Sequence, residues 1–170
     1  MQKDFSNSLY SKALLVGQLY DSSIKQADSY TAETNIKYGQ AVQLGTDTET
    51  QVKGLTTGGK FFGMALRGNI PSIGAGLATK DTEDYQVKIN RYDEGYPKGA
   101  MLPVLRLGRI AVLVHTVTED KVNETLAWYK LADASIVAAD KDPTGGYVAI
   151  GKFVTKPKAG ELAVIQINNL

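Results

Sequence analysis

Two short stretches of the chain nearly repeat each other, and they restrict its fold more than any other feature. Residues 108–113 read Gly-Arg-Ile-Ala-Val-Leu, and residues 160–165 read Gly-Glu-Leu-Ala-Val-Ile. A strand that is apolar at every position must be covered on both faces, which favours a closed barrel or packed layers over a one-sided sheet. We therefore expect these two strands to form the centre of the C-terminal half.

The remainder of the chain has the pattern of an all-β protein. Its 17 glycines recur between short runs rich in valine, isoleucine, leucine and tyrosine, and sustained helical periodicity is hard to find. This pattern predicts short antiparallel strands that form one or two small barrels or sandwiches. Pro103 lies inside one of them and indicates an edge strand or a bulge. Residues 119–128 favour a turn and a strand over a short helix. The predicted strands are 13–19, 36–44, 61–66, 85–89, 101–106, 109–118, 125–131, 147–154 and 161–167.

Residues 67–84 differ from the rest because they are rich in glycine, serine and threonine and weakly patterned. They indicate a domain boundary or a long Gly-rich loop, and long loops are often functional. The full length of 170 residues suffices for one compact domain or for two small barrels with a shared core. We expect an N-terminal β-rich domain with an extended arm at residues 1–80 and a C-terminal barrel-like domain at residues 81–170, or one continuous domain.

Residues 54–60 have most of the spacing of a phosphate-binding loop, with four residues between Gly54 and Gly59 and then a lysine. Phe61 stands where such a loop needs a hydroxyl group to hold magnesium. The residues that follow read as a strand, whereas a phosphate-binding loop needs a helix. We therefore predict a turn that leads into a sheet.

The sequence offers little catalytic or metal-binding chemistry. His115 is the one histidine, and a catalytic interpretation would pair it with Glu119 or Asp120 to activate a serine, yet no G-x-S-x-G motif supplies that serine. We expect a strand histidine that is hydrogen-bonded or half exposed. A calcium-like pattern begins at Asp140, but its twelfth position is Gly151 instead of glutamate. One histidine and no cysteine exclude the usual zinc and iron sites. We predict no catalytic residue, no metal site and no cofactor.

The charge distribution and the apolar runs argue against nucleic-acid and membrane partners. The net charge is +1, and neither half of the chain is strongly polarised. Lys152, Lys156 and Lys158 form a modest basic cluster that lacks alternating aromatic residues, so it indicates an edge strand protected by lysines, with Phe153 pointing inward. No apolar run approaches the roughly 18 residues of a membrane span, and the first residues lack a signal-peptide core. We expect a soluble protein made in the cytoplasm.

The order of the segments resembles that of the structural cement, or capsid decoration, proteins of tailed bacteriophages. The likeness runs from about residue 14 to residue 167, and it begins with VGQLYDSS, IKYGQAVQLGTD and GGKFFGMAL. The C-terminal half continues it with KGAMLPVLRLGRIAVLVH, YVAIGKFVTK and GELAVIQINNL. The glycines that carry it are Gly17, Gly39, Gly63, Gly108, Gly151 and Gly160.

The resemblance implies a non-enzymatic, barrel-containing protein that binds the outer surface of an assembled icosahedral capsid and clamps neighbouring major capsid protein subunits. It implies a homo-oligomer, with a trimer favoured over a dimer, on the exterior of the virion after synthesis in the host bacterium. The arm at residues 5–10 and the loop at residues 70–79 could supply contacts that order on binding. The candidate contact residues, none with an obvious place in the strand periodicity, are Phe5, Leu9, Tyr10, Ile70 and Ile73.

Three other functions stay open at this point. The first is a tail or baseplate component, which differs in its place in the virion. The second is a carbohydrate-binding β-domain, for which Trp128, Tyr129 and Tyr147 would form an aromatic platform. The third is a small enzyme, for which every catalytic motif fails.

Overall fold

The computed structural model of the protein describes residues 15–20, 25–68 and 95–168. Within these ranges the regular structure consists of eleven strands, and no helix occurs. The all-β prediction is therefore confirmed. The strands, in chain order, are β1 (Gln26–Ala32), β2 (Ile36–Lys37), β3 (Ala41–Leu44), β4 (Gln51–Gly54), β5 (Gly63–Ala65), β6 (Gly95–Tyr96), β7 (Met101–Val117), β8 (Leu126–Lys130), β9 (Ile136–Ala139), β10 (Tyr147–Phe153) and β11 (Leu162–Asn168).

The strand pairings close two rings that share the long strand β7. The first ring runs β1-β4-β3-β5-β7 and closes because β1 also pairs with β7. The second ring runs β7-β11-β10-β8-β9 and closes because β9 also pairs with β7. Only β1–β4 and β7–β9 are parallel among these pairings, and β2 and β6 form a separate two-stranded sheet. The predicted small-barrel architecture is thus confirmed.

Strand β7 serves both rings because a bulge and a glycine change its course near the middle. Two consecutive β1 residues lie opposite Leu105 and Leu107, which makes Arg106 an extra residue on β7. Such a bulge bends a strand and increases its twist. Gly108 follows with a φ of 136°, which side-chain-bearing residues rarely adopt. The two strands predicted at 101–106 and 109–118 are therefore one strand that passes from the first ring into the second.

The two apolar runs lie side by side in the second ring, as predicted. Strand β11 pairs antiparallel with β7, in a register that places Leu162 opposite Leu113 and Ile165 opposite Ile110. Ile110 and Ile165 are completely buried. The larger of two buried clusters fills this ring and continues into the first one through residues such as Met64, while the smaller cluster lies between β1, β4 and the β2–β6 sheet. The rings are packed together through a common core.

Several strands differ from the prediction. The sequence pattern does not predict β1, β4, β6 or β9, and the strand expected at 36–44 divides into β2 and β3 around Gly39. Strand β1 is mostly polar and largely exposed, so it lacks the alternation that would reveal it. Of the strand expected at 13–19, the described part forms a single bridge from Leu19 to Ile110. The strand expected at 85–89 lies outside the described residues.

Pro103 does not lie on an edge strand, so the first of the two predicted alternatives, an edge strand or a bulge, is wrong. Strand β7 is paired on both sides there, with Ser29 of β1 opposite Pro103 and the Leu66 N–H donating to the Pro103 carbonyl at 2.9 Å. In an antiparallel pair, the N–H and the carbonyl group of one residue point towards the same neighbouring strand. The N–H that proline lacks would therefore point towards Leu66, the residue just after the end of β5. The second predicted alternative, a bulge, is found at Arg106, three residues further along β7.

The predicted turns occur where expected. The Gly59 N–H donates to the Thr56 carbonyl at 2.9 Å in the turn between β4 and β5, so residues 54–60 lead into a strand and not into a helix. Residues 122–124 form a turn before β8, which confirms the turn over the helix.

The boundary expected between residues 80 and 81 lies outside the described residues, as do the arm at residues 1–10 and the Gly-rich loop. The division into 1–80 and 81–170 therefore stays a prediction. Among the described residues, no helix is long and apolar enough to cross a membrane.

Candidate contact surface

Residues 15–17, 66–68 and 95–96 lie side by side. The Arg67 N–H donates to the Gly17 carbonyl at 2.6 Å, which joins the first of these segments to the second. The Gly68 N–H donates to the Tyr96 hydroxyl at 2.8 Å, which joins the second to the third. We call this place the junction, and it comprises Val16, Gly17, Tyr38, Gly39, Leu66, Arg67, Gly68, Gly95 and Tyr96.

Tyr96 is the centre of the junction. Its side chain is buried, and its hydroxyl donates to the Leu66 carbonyl at 2.9 Å while it accepts the bond from Gly68. Burial raises the pKa of Tyr96, which keeps the hydroxyl protonated for both bonds. Its ring meets that of Tyr38 edge to face at 5.2 Å, and the Arg67 guanidinium lies 4.7 Å from the Tyr38 ring centre. These contacts hold residues 66–68 and 95–96 together.

The chain that follows residues 1–14 is held against β7. The Gly17 N–H donates to the Ala111 carbonyl at 2.8 Å. Gly17 has a φ of 78°, and a Cβ atom built on it would lie 2.7 Å from the Gly39 nitrogen. Glycine is therefore required at this close approach. Residues 15–20 enter the fold at a defined place instead of extending freely from it.

The predicted contact residues Phe5, Leu9, Tyr10, Ile70 and Ile73 all lie outside the described residues. The structure places instead the residues to which their two segments attach. Sequence reasoning missed Tyr38, Arg67 and Tyr96, because the contacts that connect them join residues about 30 to 60 positions apart and leave no local pattern.

A cleft of about 920 Å³ opens beside the junction, between the β2–β6 sheet and the second ring. On one side it is lined by Lys37, Lys98 and the aromatic residues of the junction. On the other side it is lined by Leu113, His115, Asp133, Ala134 and Ile136. Leu113 is 36 % exposed although it belongs to the central strand. The cleft thus combines an exposed leucine with a rim that carries two lysines.

His115 is the exposed, hydrogen-bonded strand histidine that the sequence predicts. Its Nδ1 atom accepts the Ile136 N–H at 3.1 Å, so the neutral ring carries its proton on Nε2. Asp120, one of the two carboxylates considered as its partner, instead forms an ion pair with Lys156 at 2.7 Å. In the described part of the chain, no group of three histidine, cysteine, aspartate or glutamate side chains could hold a metal ion.

The aromatic platform of the carbohydrate-binding alternative does not form. Tyr129 is completely buried, with its pKa raised to about 12 by burial. Trp128, the next residue back along β8, points to the opposite face and is half-buried, and its Nε1–H donates to the Ala139 carbonyl at 3.1 Å. Tyr147 lies on the neighbouring strand β10, opposite Lys130. Because Tyr129 is buried on the face of β8 opposite to Trp128, the three aromatic residues do not form one flat binding surface.

The basic cluster is not on an edge strand, contrary to the prediction. Lys152 lies on β10, which is paired with β8 on one side and with β11 on the other. Phe153 points inward and is completely buried, as predicted. Two of the lysines are paired with carboxylates, Lys156 with Asp120 and Lys158 with a glutamate three residues along the chain.

Comparison with known proteins gives a family for this chain. A family described as structural cement protein (E217 gp24/Pam3 gp6) matches residues 4–168. No curated protein sequence matches significantly. A chain in the solved capsid of Myoviridae phage XM1 is 15 % identical, with a TM-score of 0.60 over 99 % of this chain and 98 % of that one. The base of the head fibre protein gp8.5 of bacteriophage phi29 is 14 % identical, with a TM-score of 0.46 over 86 % of this chain and 98 % of that one.

The family match spans almost the whole length of the protein, including both rings. The likeness to the XM1 capsid chain shows a shared fold. The chain belongs to the structural cement proteins of phages, and its role is to associate with the capsid shell of the virion and stabilise it.

Proposed function

We propose that this protein binds the outer surface of the assembled capsid, contacts neighbouring major capsid protein subunits through its arm and its long loop, and catalyses no reaction. The observation that carries the proposal is the junction. Residues 1–14 and 69–94 attach to the scaffold at one place, through the bonds of Gly17 to Arg67 and of Gly68 to Tyr96. Two segments that attach at one anchored place can bind one region of the shell together.

The energetic argument rests on the number of contacts. When two segments are held on one scaffold, the second contact forms at a high effective concentration once the first has formed. Modest contacts then add up to a strong association. The closed rings supply the rigid part, and Phe5, Leu9, Tyr10, Ile70 and Ile73 are the proposed contact residues.

The first experiment is co-sedimentation of the purified protein with expanded capsids and with unexpanded procapsids of its phage. Saturable binding at a simple ratio to the capsid subunit is the expected result. A well-folded protein that binds to neither shell would contradict the proposal and would favour a tail or baseplate location.

Deletion of residues 1–10 tests the arm in the same assay. We expect capsid binding to be lost while the melting temperature changes little, because both rings close through pairing among strands β1 to β11. Serine at Phe5, Leu9 and Tyr10 should have the same effect in a full-length chain. The matched control carries alanine at the polar positions Gln2, Ser6 and Asn7. A large fall in melting temperature would show instead that the arm belongs to the core.

The loop is tested by the variant Ile70→Ser with Ile73→Ser, and its control is Ser72→Ala with Thr79→Ala. We expect weaker capsid binding from the first pair alone, because only that pair removes apolar contact area. Equal capsid binding by the two variants would show that the loop is not part of the contact surface.

We also propose a homo-oligomer, with a trimer favoured because trimers match the threefold positions of an icosahedral shell. Sedimentation equilibrium should give a mass of three chains, and a mass of two chains would indicate a dimer at twofold positions.

The proposed absence of catalysis is supported by the hydrogen bond that His115 Nδ1 accepts and by the ion pair that Asp120 forms with Lys156. A broad hydrolase screen that compares the protein with His115→Ala should detect no difference in activity.

A further inference from the structure

The rim of the cleft beside the junction carries positive charge that no described carboxylate neutralises. Lys37 and Lys98 both line the cleft and are exposed, and neither forms an ion pair within the described ranges. Asp133 is the acidic residue of the lining, but its carboxylate already accepts bonds from Lys130 at 2.8 Å and from the Ser135 N–H at 3.1 Å. The cleft therefore has two lysines available for an anionic group.

The cleft also offers apolar area and a further donor. Leu113 is exposed in its lining, with Val16 and Pro97 partly exposed nearby. His115 presents an Nε2–H donor, because its Nδ1 atom accepts the bond from Ile136. A surface that combines an exposed leucine, hydrogen-bond donors and lysines suits a peptide with both acidic and apolar side chains better than it suits a small anion alone.

The geometry points to this cleft as the binding site for an extended acidic segment of the major capsid protein. In the bound state, carboxylates of that segment lie against Lys37 and Lys98, while an apolar side chain covers Leu113. The inference rests on the proposed function and extends it, because the cleft shares Val16 and Tyr96 with the junction. A capsid segment in the cleft would therefore lie beside the place where the proposed contact segments join the rings.

The test is capsid affinity after charge reversal, measured by co-sedimentation of the full-length protein with expanded capsids. The variant Lys37→Glu with Lys98→Glu should bind about tenfold more weakly than the wild-type chain, because like charges would then face each other. The matched control is Lys60→Glu with Lys141→Glu, which makes the same change in net charge at exposed positions outside the cleft. The control should change the affinity less than about twofold.

A zero-length carbodiimide crosslink identifies the partner directly, because it joins a lysine to a carboxylate in contact. We expect mass spectrometry of the crosslinked particles to find Lys37 or Lys98 joined to aspartate or glutamate of the capsid subunit. Crosslinks from these lysines to a second copy of this chain, or capsid crosslinks at other lysines only, would overturn the inference.

The outcomes separate the two proposals. If the wild-type chain and the charge-reversed variant bind capsids equally, the inference fails and the cement role on the capsid surface stands. If the wild-type chain binds to no shell, both fail. Unchanged melting temperatures for the two variants would show that any loss of binding comes from the surface charge and not from unfolding.

Discussion

Tyr96 joins the two sides of residues 69–94 through one hydroxyl group, and its ring packs on Tyr38. At the scale of single residues, this is the side chain on which the junction depends most. A buried hydroxyl that both donates and accepts leaves two backbone groups without partners when it is removed.

Tyr96→Phe should therefore lower the free energy of unfolding by about 1–3 kcal/mol, because the Leu66 carbonyl and the Gly68 N–H each lose a bond. The measurement is urea unfolding followed by fluorescence. Tyr20→Phe is the matched control, because Tyr20 is 44 % exposed and the same atom is removed. Equal stability of the two variants would show that the hydroxyl does not anchor the junction.

Tyr129 should make the protein sensitive to alkaline pH. Burial raises its pKa to about 12 in the folded state, against the 10.0 that is usual for a tyrosine in water. The unfolded state therefore loses the proton first, and the stability that is fully present below about pH 10 declines as the pH rises towards 12. Tyr129→Phe should show a smaller decline in unfolding free energy between pH 8 and pH 11. An unchanged decline in this variant would assign the effect to other tyrosines.

At the scale of elements, β7 is the strand on which both rings depend. It pairs with β1 and β5 in the first ring and with β11 and β9 in the second. The bulge at Arg106 and the positive φ of Gly108 mark the passage between them. A disturbance at this point therefore affects strands in both rings at once.

Gly108→Ala should destabilise the protein by about 1–3 kcal/mol, because alanine resists this φ and its Cβ would lie 3.2 Å from a Leu105 methyl group. Gly145→Ala is the control, since Gly145 also has a positive φ, of 102°, but nothing lies near its Cβ position. Thermal melting should show a larger effect for the β7 variant. If Gly108→Ala lowers the melting temperature no more than Gly145→Ala does, the Leu105 side chain moves aside without a cost in stability.

At the scale of the whole molecule, the two rings share a strand and also a core. Met64 and Leu105 of the first ring belong to the same buried cluster as Ile165 and Phe153 of the second. Neither ring can lose its structure without exposing part of this cluster. This arrangement joins the rings mechanically, which suits a protein that stabilises the capsid shell.

The protein should therefore unfold in one transition. Ile165→Ala in the second ring and Val104→Ala in the smaller cluster of the first should each move the whole transition to lower temperature, because each leaves a cavity in a completely buried site. Scanning calorimetry should give equal calorimetric and van't Hoff enthalpies. Two separate transitions, with each variant shifting only one, would show that the rings fold as independent domains.

The sequence by itself determined the all-β class, the central place of the two apolar runs, the turns before β5 and β8 and the likeness to cement proteins. Each of these follows from local patterns, since an apolar run or a glycine-rich turn reports its own environment. The inward position of Phe153 follows in the same way from alternation along β10.

Only the tertiary structure decided the sharing of β7, the paired position of Pro103, the existence of the polar strand β1 and the assembly of the junction. Each of these depends on partners distant in the chain, as when Ser29 meets Pro103 or Gly68 meets Tyr96. The sequence suggested which segments make contacts, but their attachment at one place results from strand pairing across the whole chain. Local composition does not predict such pairing, because the pairing is stabilised by residues that become neighbours only when the rings close.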